Sequence, residues 1–438
     1  MTRYTVFRGR AALLFALFVF PLIAQQPPRP RVFAIEGARI VTVSGAEIPS
    51  GTVLVRDGLI EAVGPSVAAP ADAWVIDGEG MTVYPGFIDA MSSLGMSAPK
   101  REGEAPLSAG PQDRPSTMPW VRAADTFSPE QDDVAAWRAS GFTTVAATPE
   151  GGFFPGNVSL INLSDAGNSK RVVEPKAAVV VAYPDETPGH RAYPGALLGY
   201  IAYVKQLYID TRYAMEAERM YADDPTGLER PGYDPSTEAL AESLEGGRRT
   251  LYPADTVVQL HRARNMVEHT TEALGVYGAQ EAYDEPGALG GLPALVDVSW
   301  PKEQRDPDPD REVTLRTLRL RYYAPTTPAK LAESGALFAF YASDAKKPGD
   351  FLEGVGKAIG RGLSPADAVE ALTLGAAKFY NVDDRLGSID EGKIANLVVF
   401  KDDPFTKGAR AEMVFVDGVK YDILPEPASK REPKEQTR

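Results

Sequence analysis

Apolar positions in this chain fall into three textures. Residues 32–84 carry short apolar runs (VFAIEGARIVTV, GTVLVRDGLIEAVG, WVIDGEGMTVYPG) broken by Gly and Asp-Gly, the pattern of strands joined by tight turns. Residues 386–424 repeat that texture in LGSIDEGKIANLVVF and AEMVFVDGVKYDIL, with Asp417-Gly418 as a hairpin turn signal. Strand-rich ends around a long middle predict one small β-domain assembled from 32–84 plus 386–424.

The middle, residues 85–385, alternates strand-like and helix-like segments, which predicts βα units around a parallel sheet. Ser128-Pro129-Glu130-Gln131 opens a helix, with Ser128 as N-cap, Pro129 at the first helical position and Gln131 at the reciprocal capping position. That helix runs to Gly141, and the strand FTTVAAT follows. Ser364-Pro365-Ala366-Asp367 repeats the device before AVEALTLGAAKFY. A third helix is expected between Val257 and Leu274, with Leu260, Ala263, Val267 and Leu274 on one face. AAVVVAY (177–183) and ALFAFYAS (336–343) read as strands. Two segments break the rhythm: 97–118, rich in Pro, Gly, Ser and charge, and the charged, Pro-broken 301–312. The polar tail 425–438 is expected to be disordered.

The N-terminus changes the picture of where the protein acts. Arg3, Arg8 and Arg10 precede the apolar run Ala11 to Ala24, and polar Gln25 follows. This is the pattern of a signal peptide over residues 1–24, and it predicts an exported, periplasmic or secreted protein. A membrane span needs roughly 20 apolar residues, so no membrane association is expected after cleavage. The absence of cysteine excludes disulfides, thiolate ligands and a Cys nucleophile. A net charge of -14 argues against nucleic acid as a partner.

The segment Tyr84 to Leu94, YPGFIDAMSSL, resembles the PGFIDxHxH strand end of the amidohydrolase superfamily, in its imidazolonepropionase-like and prolidase-like branch. The resemblance extends through GFTTV at 141–145, SDA at 343–345, SPADAVEALTLGAAKFYNV and RLGSIDEGKIANLVVFKDDPF. It implies a (β/α)8 TIM-like barrel over 85–385 and a composite β-sandwich built from both chain ends. It also implies a metal site made of two histidines after strand 1, a bridging Lys or Glu, histidines after strands 5 and 6, and an Asp after strand 8.

Position by position this chain departs from that ligand set. Met91 and Ser93 stand where the first two histidines belong. PADTVVQLHRA resembles the family's HAxxxxDIxxA and puts Pro253 at the strand 5 histidine. GVYGAQEAY (275–283) holds no histidine, and only Asp344 stays in register. A catalytic zinc needs about three protein ligands and an open position. A thioether binds such ions poorly, a neutral hydroxyl is weak, and proline offers no side-chain donor. His261 and His269 are eight residues apart, about 12 Å along a helix at 1.5 Å per residue, too far to share an ion. His190, near Asp185 and Glu186, is the other pocket candidate, whereas Asp89 is expected to orient local backbone. Neither a GxSxG elbow nor an HExxH pair occurs.

These residues predict no metal or other cofactor and a catalytically silent homologue. Such a protein would act in a homo- or hetero-oligomer as a structural or regulatory partner, for instance of an active amidohydrolase paralogue. The competing expectations are a hydrolase of C–N bonds using Asp344 and His190, with a divalent metal such as zinc, and a small-molecule binding protein.

Overall fold

Among the described residues, sixteen strands divide between two sheets. The computed structural model describes residues 31–96, 114, 117–183, 196–303, 313–343 and 347–424. The first sheet holds β1 (Val32–Ile40), β2 (Ile48–Arg56), β3 (Leu59–Gly64), β4 (Trp74–Asp77) and β5 (Thr82–Pro85), with β14 (Leu397–Phe400), β15 (Met413–Val416) and β16 (Val419–Asp422). Its order is β16-β15-β14-β5-β1-β2-β3, with β4 also on β1. The two chain ends meet where β5 pairs antiparallel with β14, Tyr84 opposite Val398.

This sheet folds over on itself. Phe33 on β1 meets Phe415 on β15 edge to face at 5.3 Å between ring centroids. In a flat sheet those strands, three steps apart, would stand roughly 14 Å from each other at ~4.8 Å per step. Two Asp-Gly turns set the closure. Asp57-Gly58 and Asp417-Gly418 both have positive φ at each residue, the backbone that two-residue hairpin loops demand. The turns touch: a Cβ on Gly418 would lie 2.6 Å from Gly58 Cα.

The second sheet is the barrel: β6 (Phe87–Ser92), β7 (Phe142–Ala147), β8 (Gly156–Asn162), β9 (Val172–Val180), β10 (Arg249–Ala254), β11 (Leu274–Gly278), β12 (Ala294–Asp297) and β13 (Phe338–Tyr341), neighbours in chain order. β13 returns beside β6, so the barrel nearly closes. Ile88, Ala90, Ala146, Leu160, Val180, Leu251, Leu295 and Ala339 pack in one cluster with Phe379 and Tyr380. The Tyr380 hydroxyl donates to Ala90 O at 2.5 Å.

One strand departs from the expected βα alternation. β8 runs antiparallel to both β7 and β9, so the three form a meander. The connections 148–155 and 163–171 are shorter than the dozen or more residues that a parallel crossover needs.

The helices are α1 (Ala123–Thr126), α2 (Gln131–Ala139), α3 (Asn168–Arg171), α4 (Leu197–Asp223), α5 (Pro235–Glu245), α6 (Val257–Met266), α7 (Leu315–Tyr323), α8 (Thr327–Glu333), α9 (Pro348–Ile359), α10 (Pro365–Leu372) and α11 (Leu374–Phe379). No helix among the described residues is long and apolar enough to cross a membrane. Ser364 caps α10 as the sequence predicts, its side chain accepting from Asp367 N. Three expectations are corrected. α2 begins at Gln131 with Glu130 as N-cap and no side-chain cap. Ser128 N donates instead to Gly95 O, and Pro129 packs flat on that glycine, so the chain stays extended there. α6 ends at Met266, and Leu274 opens β11 opposite Thr250 rather than continuing a helical face. The strand expected at 177–183 is β9, which starts earlier and ends at Val180.

Sheet and barrel are joined by a buried polar network. Asn162 Oδ1 accepts from Thr144 Oγ1 at 2.8 Å and from Asn396 Nδ2 at 2.8 Å. Asn396 Nδ2 also reaches Thr144 Oγ1 at 3.1 Å. Asn162 Nδ2 donates to Asp417 Oδ1 at 2.5 Å, and Asp417 N returns to Asn396 Oδ1 at 2.9 Å. Every polar side-chain atom of the two amides is therefore partnered, the condition under which such a network stabilises rather than costs.

Candidate functional site

The C-terminal ends of barrel strands are where this architecture assembles its chemistry. There a cavity of about 230 Å3 is lined by Met91, Ser92, Ser93, Thr148, Glu150, Val180, Ala182, Tyr277, Tyr341 and Ser343, among others. Two larger cavities of about 540 Å3 lie elsewhere, one against the first sheet and α10, the other beyond β12 beside α7 and α9. Volume alone would favour those two, but the strand ends converge on the smaller one.

Carboxylates stand behind this lining. Asp89 on β6 is 2% exposed, and its Oδ1 accepts from Met91 N at 3.3 Å across a bulge in the β6–β7 pairing. Burial pushes its carboxyl up to about 7; hydrogen bonds from Ser92 and from Met91 N oppose the shift, and the charge of Asp297 adds to it. Asp297 closes β12 and is itself buried. It fixes the neighbouring strand exit: Oδ1 accepts from Ser299 N at 2.8 Å and Ser343 N at 3.2 Å, and Oδ2 from Ser343 Oγ at 2.5 Å. Asp255, just past β10, is raised by its crowded recess and by Asp297 and Glu281. Part of its surface stays open to solvent.

Two tyrosines complete the lining. Tyr277 on β11 donates to Val181 O at 3.0 Å, and burial raises its phenol. Tyr341 on β13 is raised well above the ordinary value by burial and then by Asp297. Both phenols are held neutral, able to donate a hydrogen bond but not to act as bases near pH 7. Glu150 is the one charged side chain among the described lining residues. Sequence reasoning passed over Asp255, Asp297, Tyr277 and Tyr341. Each lies within one residue of the end of a short apolar strand such as ALVD at 294–297, and that position was the available signal.

Met91 and Ser93 both line the cavity. Pro253 lies in β10, the fifth barrel strand, opposite Tyr277, and is not among the lining residues. His261, on α6, has Nε2 3.2 Å from Glu285 Oε2 on the surface, and His269 sits in the single turn Val267–His269. Asp344, His190, the segment 1–24 and the tail 425–438 lie outside the described residues, as do most of 97–118 and 301–312. Among the described residues no three His, Cys, Asp or Glu side chains come together as a metal ion would need. Among the described residues the mouth offers a thioether, hydroxyls, phenols and the carboxylates of Asp89 and Asp297, both engaged in hydrogen bonds, with Asp255 and Glu150 beside them. These described donors do not make the set of about three ligands around one open position that a catalytic zinc needs.

Comparison with known proteins follows the fold. The amidohydrolase family model matches residues 326–423, a span that includes α10, α11 and the return to the first sheet. An amidohydrolase of Hapsidospora irregularis, tasK, is 24% identical over 405 residues, covering 84% of this chain and 39% of that protein. An adenine deaminase of Methanococcoides burtonii is 43% identical over 68 residues, 14% of this chain and 12% of that protein. The chain thus spans well under half the length of these two curated relatives. The crystal structure of an amidohydrolase from Thermotoga maritima superposes with a TM-score of 0.72 at 24% identity, covering 89% of this chain and 99% of that one. A prolidase solved with N-methylphosphonate-L-proline superposes at 0.56 and 16% identity, covering 89% and 99%. At these identities the structural likeness is one of fold. The chain thus matches the amidohydrolase family model over residues 326–423 and shares the fold of these two solved structures, a barrel with an appended sheet.

Proposed function

We propose that this chain is an exported, catalytically silent amidohydrolase homologue that serves as a structural or regulatory partner of an active relative. The observation that carries the reading is the donor set at the barrel mouth. Met91, Ser93 and Pro253 occupy the positions at which the family's sequence pattern carries histidines, on strands that are otherwise intact. A single ligand lost would leave a weakened site; three lost on two strands leave too few electron-pair donors to lower the pKa of a bound water. A seam whose buried amides are fully partnered supports a well-formed folded shape at a mouth poor in metal donors. The basic, apolar and small-residue order of the N-terminus supports export.

The test is purification from the native cell envelope, with metal content and co-purifying proteins measured on one sample. Substoichiometric zinc, manganese and iron, together with an active amidohydrolase in the same complex, is the expected result. One firmly held metal ion per chain overturns the silent reading. Met91→His with Ser93→His should still not retain zinc through gel filtration, because the fifth and sixth strands supply no third and fourth ligand. A second reading, a small-molecule binding protein, is favoured by the cavity of about 230 Å3 with its two neutral phenols. A ligand that co-purifies without being turned over would select it. Hydrolysis abolished by Asp344→Asn would instead select an unconventional hydrolase of C–N bonds.

A further inference from the structure

A second cavity, outside the barrel mouth, has the opposite electrostatic character. It lies past the end of β12, between α7 and α9, with a volume of about 540 Å3. Val298 and Trp300 form its apolar side. Trp300 Nε1 donates to Gly354 O at 2.7 Å, and a Cβ on Gly354 would strike Val298 O at 2.4 Å, so β12 and α9 are locked together at this wall. Three cations line the cavity: Lys302, Arg321 and Lys357. Lys357 is committed to Glu353 at 2.9 Å. Asp350 is the remaining acid of the lining.

Arg321 is the feature that demands an explanation. Its Nε is buried from solvent and meets no hydrogen-bond partner. The basic residues around it are used differently: Arg316, one helical turn and a half earlier, pairs with Glu281 at 2.9 Å, and Arg361 stacks over Tyr322 at 4.5 Å to the ring centroid. A guanidinium N–H withdrawn from water without an acceptor costs free energy unless a ligand supplies one. Guanidinium is also the group whose planar fork matches carboxylate and phosphate. A chain of net charge -14 has little reason to leave two cations unneutralised in one recess.

We propose that this cavity is a binding site for a small oxyanion, with Arg321 as the forked donor and Lys302 as a second positive charge at its exposed rim. Its place, among the segments that follow the last two barrel strands, is one where barrels of this type commonly hold phosphate. The site is separate from the mouth, and its occupancy does not depend on whether the mouth is silent.

Isothermal titration of the full chain with inorganic phosphate and with succinate, at constant ionic strength in chloride, tests this. Saturable binding of one anion per chain is expected, and the tighter of the two probes identifies a phosphoryl or a carboxylate ligand. Arg321→Gln and Lys302→Gln should each weaken it by about tenfold or more, whereas Arg219→Gln on the exposed face of α4 should leave it unchanged. Arg321→Lys, which keeps the charge but not the fork, should fall between wild type and Arg321→Gln. Should Arg321→Gln fail to fold, Lys302→Gln carries the test, because Lys302 is exposed. No heat of binding from either anion, or equal affinity in wild type and both variants, overturns the proposal and leaves the cavity to water.

Discussion

The seam between sheet and barrel and the mouth of the barrel are both rich in buried polar atoms, yet they handle them in opposite ways. At the seam, Thr144, Asn162, Asn396 and Asp417 satisfy one another, and no formal charge beyond Asp417 is involved. At the mouth, Asp89, Asp255 and Asp297 crowd like charges together, and burial forces at least one of them toward neutrality. The difference teaches where the molecule tolerates cost. The seam is completed by its own side chains, whereas the mouth holds groups that only a proton or a partner can neutralise.

The comparison can be broken most directly through pH. The Asp89 carboxyl moves from an ordinary 3.8 to about 7 in the folded protein. The native state therefore binds the extra proton between those values, and stability falls as pH rises through that window. The loss amounts to at most about 4 kcal/mol. Asp89→Asn should remove it, so the difference between wild-type and variant urea stabilities should grow from pH 4 to pH 8. A flat difference would show that Asp89 is ionised throughout and that the mouth is wetter than its burial suggests.

The seam should respond to pH only through Asp417, whose carboxyl burial raises against the hydrogen bonds from Asn162 and Ser164. Asn162→Ala or Asn396→Ala leaves several buried groups unpaired and should cost about 3 kcal/mol in urea unfolding. The double variant should cost far less than the sum, since both belong to one network. Gly354→Ala forces a methyl against Val298 O and should cost about 2 kcal/mol, seen as a lowered Tm. Thr256→Ala removes the capping box of α6 and should cost about 1 kcal/mol, with no change at the mouth. A comparable loss of stability from Ser93→His, at an exposed position, would contradict the picture of Ser93 as a lining residue free of structural duty.

Much of the fold was legible because its signals are local. The Asp57-Gly58 and Asp417-Gly418 turns announce hairpins, since only residues tolerant of positive φ close two-residue loops. Ser364-Pro365 announces α10, since a hydroxyl cap and a proline suit a first turn. The same reasoning failed at Ser128, where contact with Gly95, distant in sequence, held the chain extended. It failed again at Leu274, where apolar spacing fitted a helix but pairing with β10 made a strand.

The site divides in the same manner. The chain's residues alone determined that Met91, Ser93 and Pro253 cannot serve as histidine ligands, because donor chemistry is a property of the side chain. Only the tertiary structure decided that Asp297 acts on both Asp89 and Asp255, or that the Arg321 Nε lies buried without a hydrogen-bond partner beside an open cavity. Those facts depend on desolvation and on through-space distance, quantities that come into being when strands far apart in sequence are brought to the same end of a barrel.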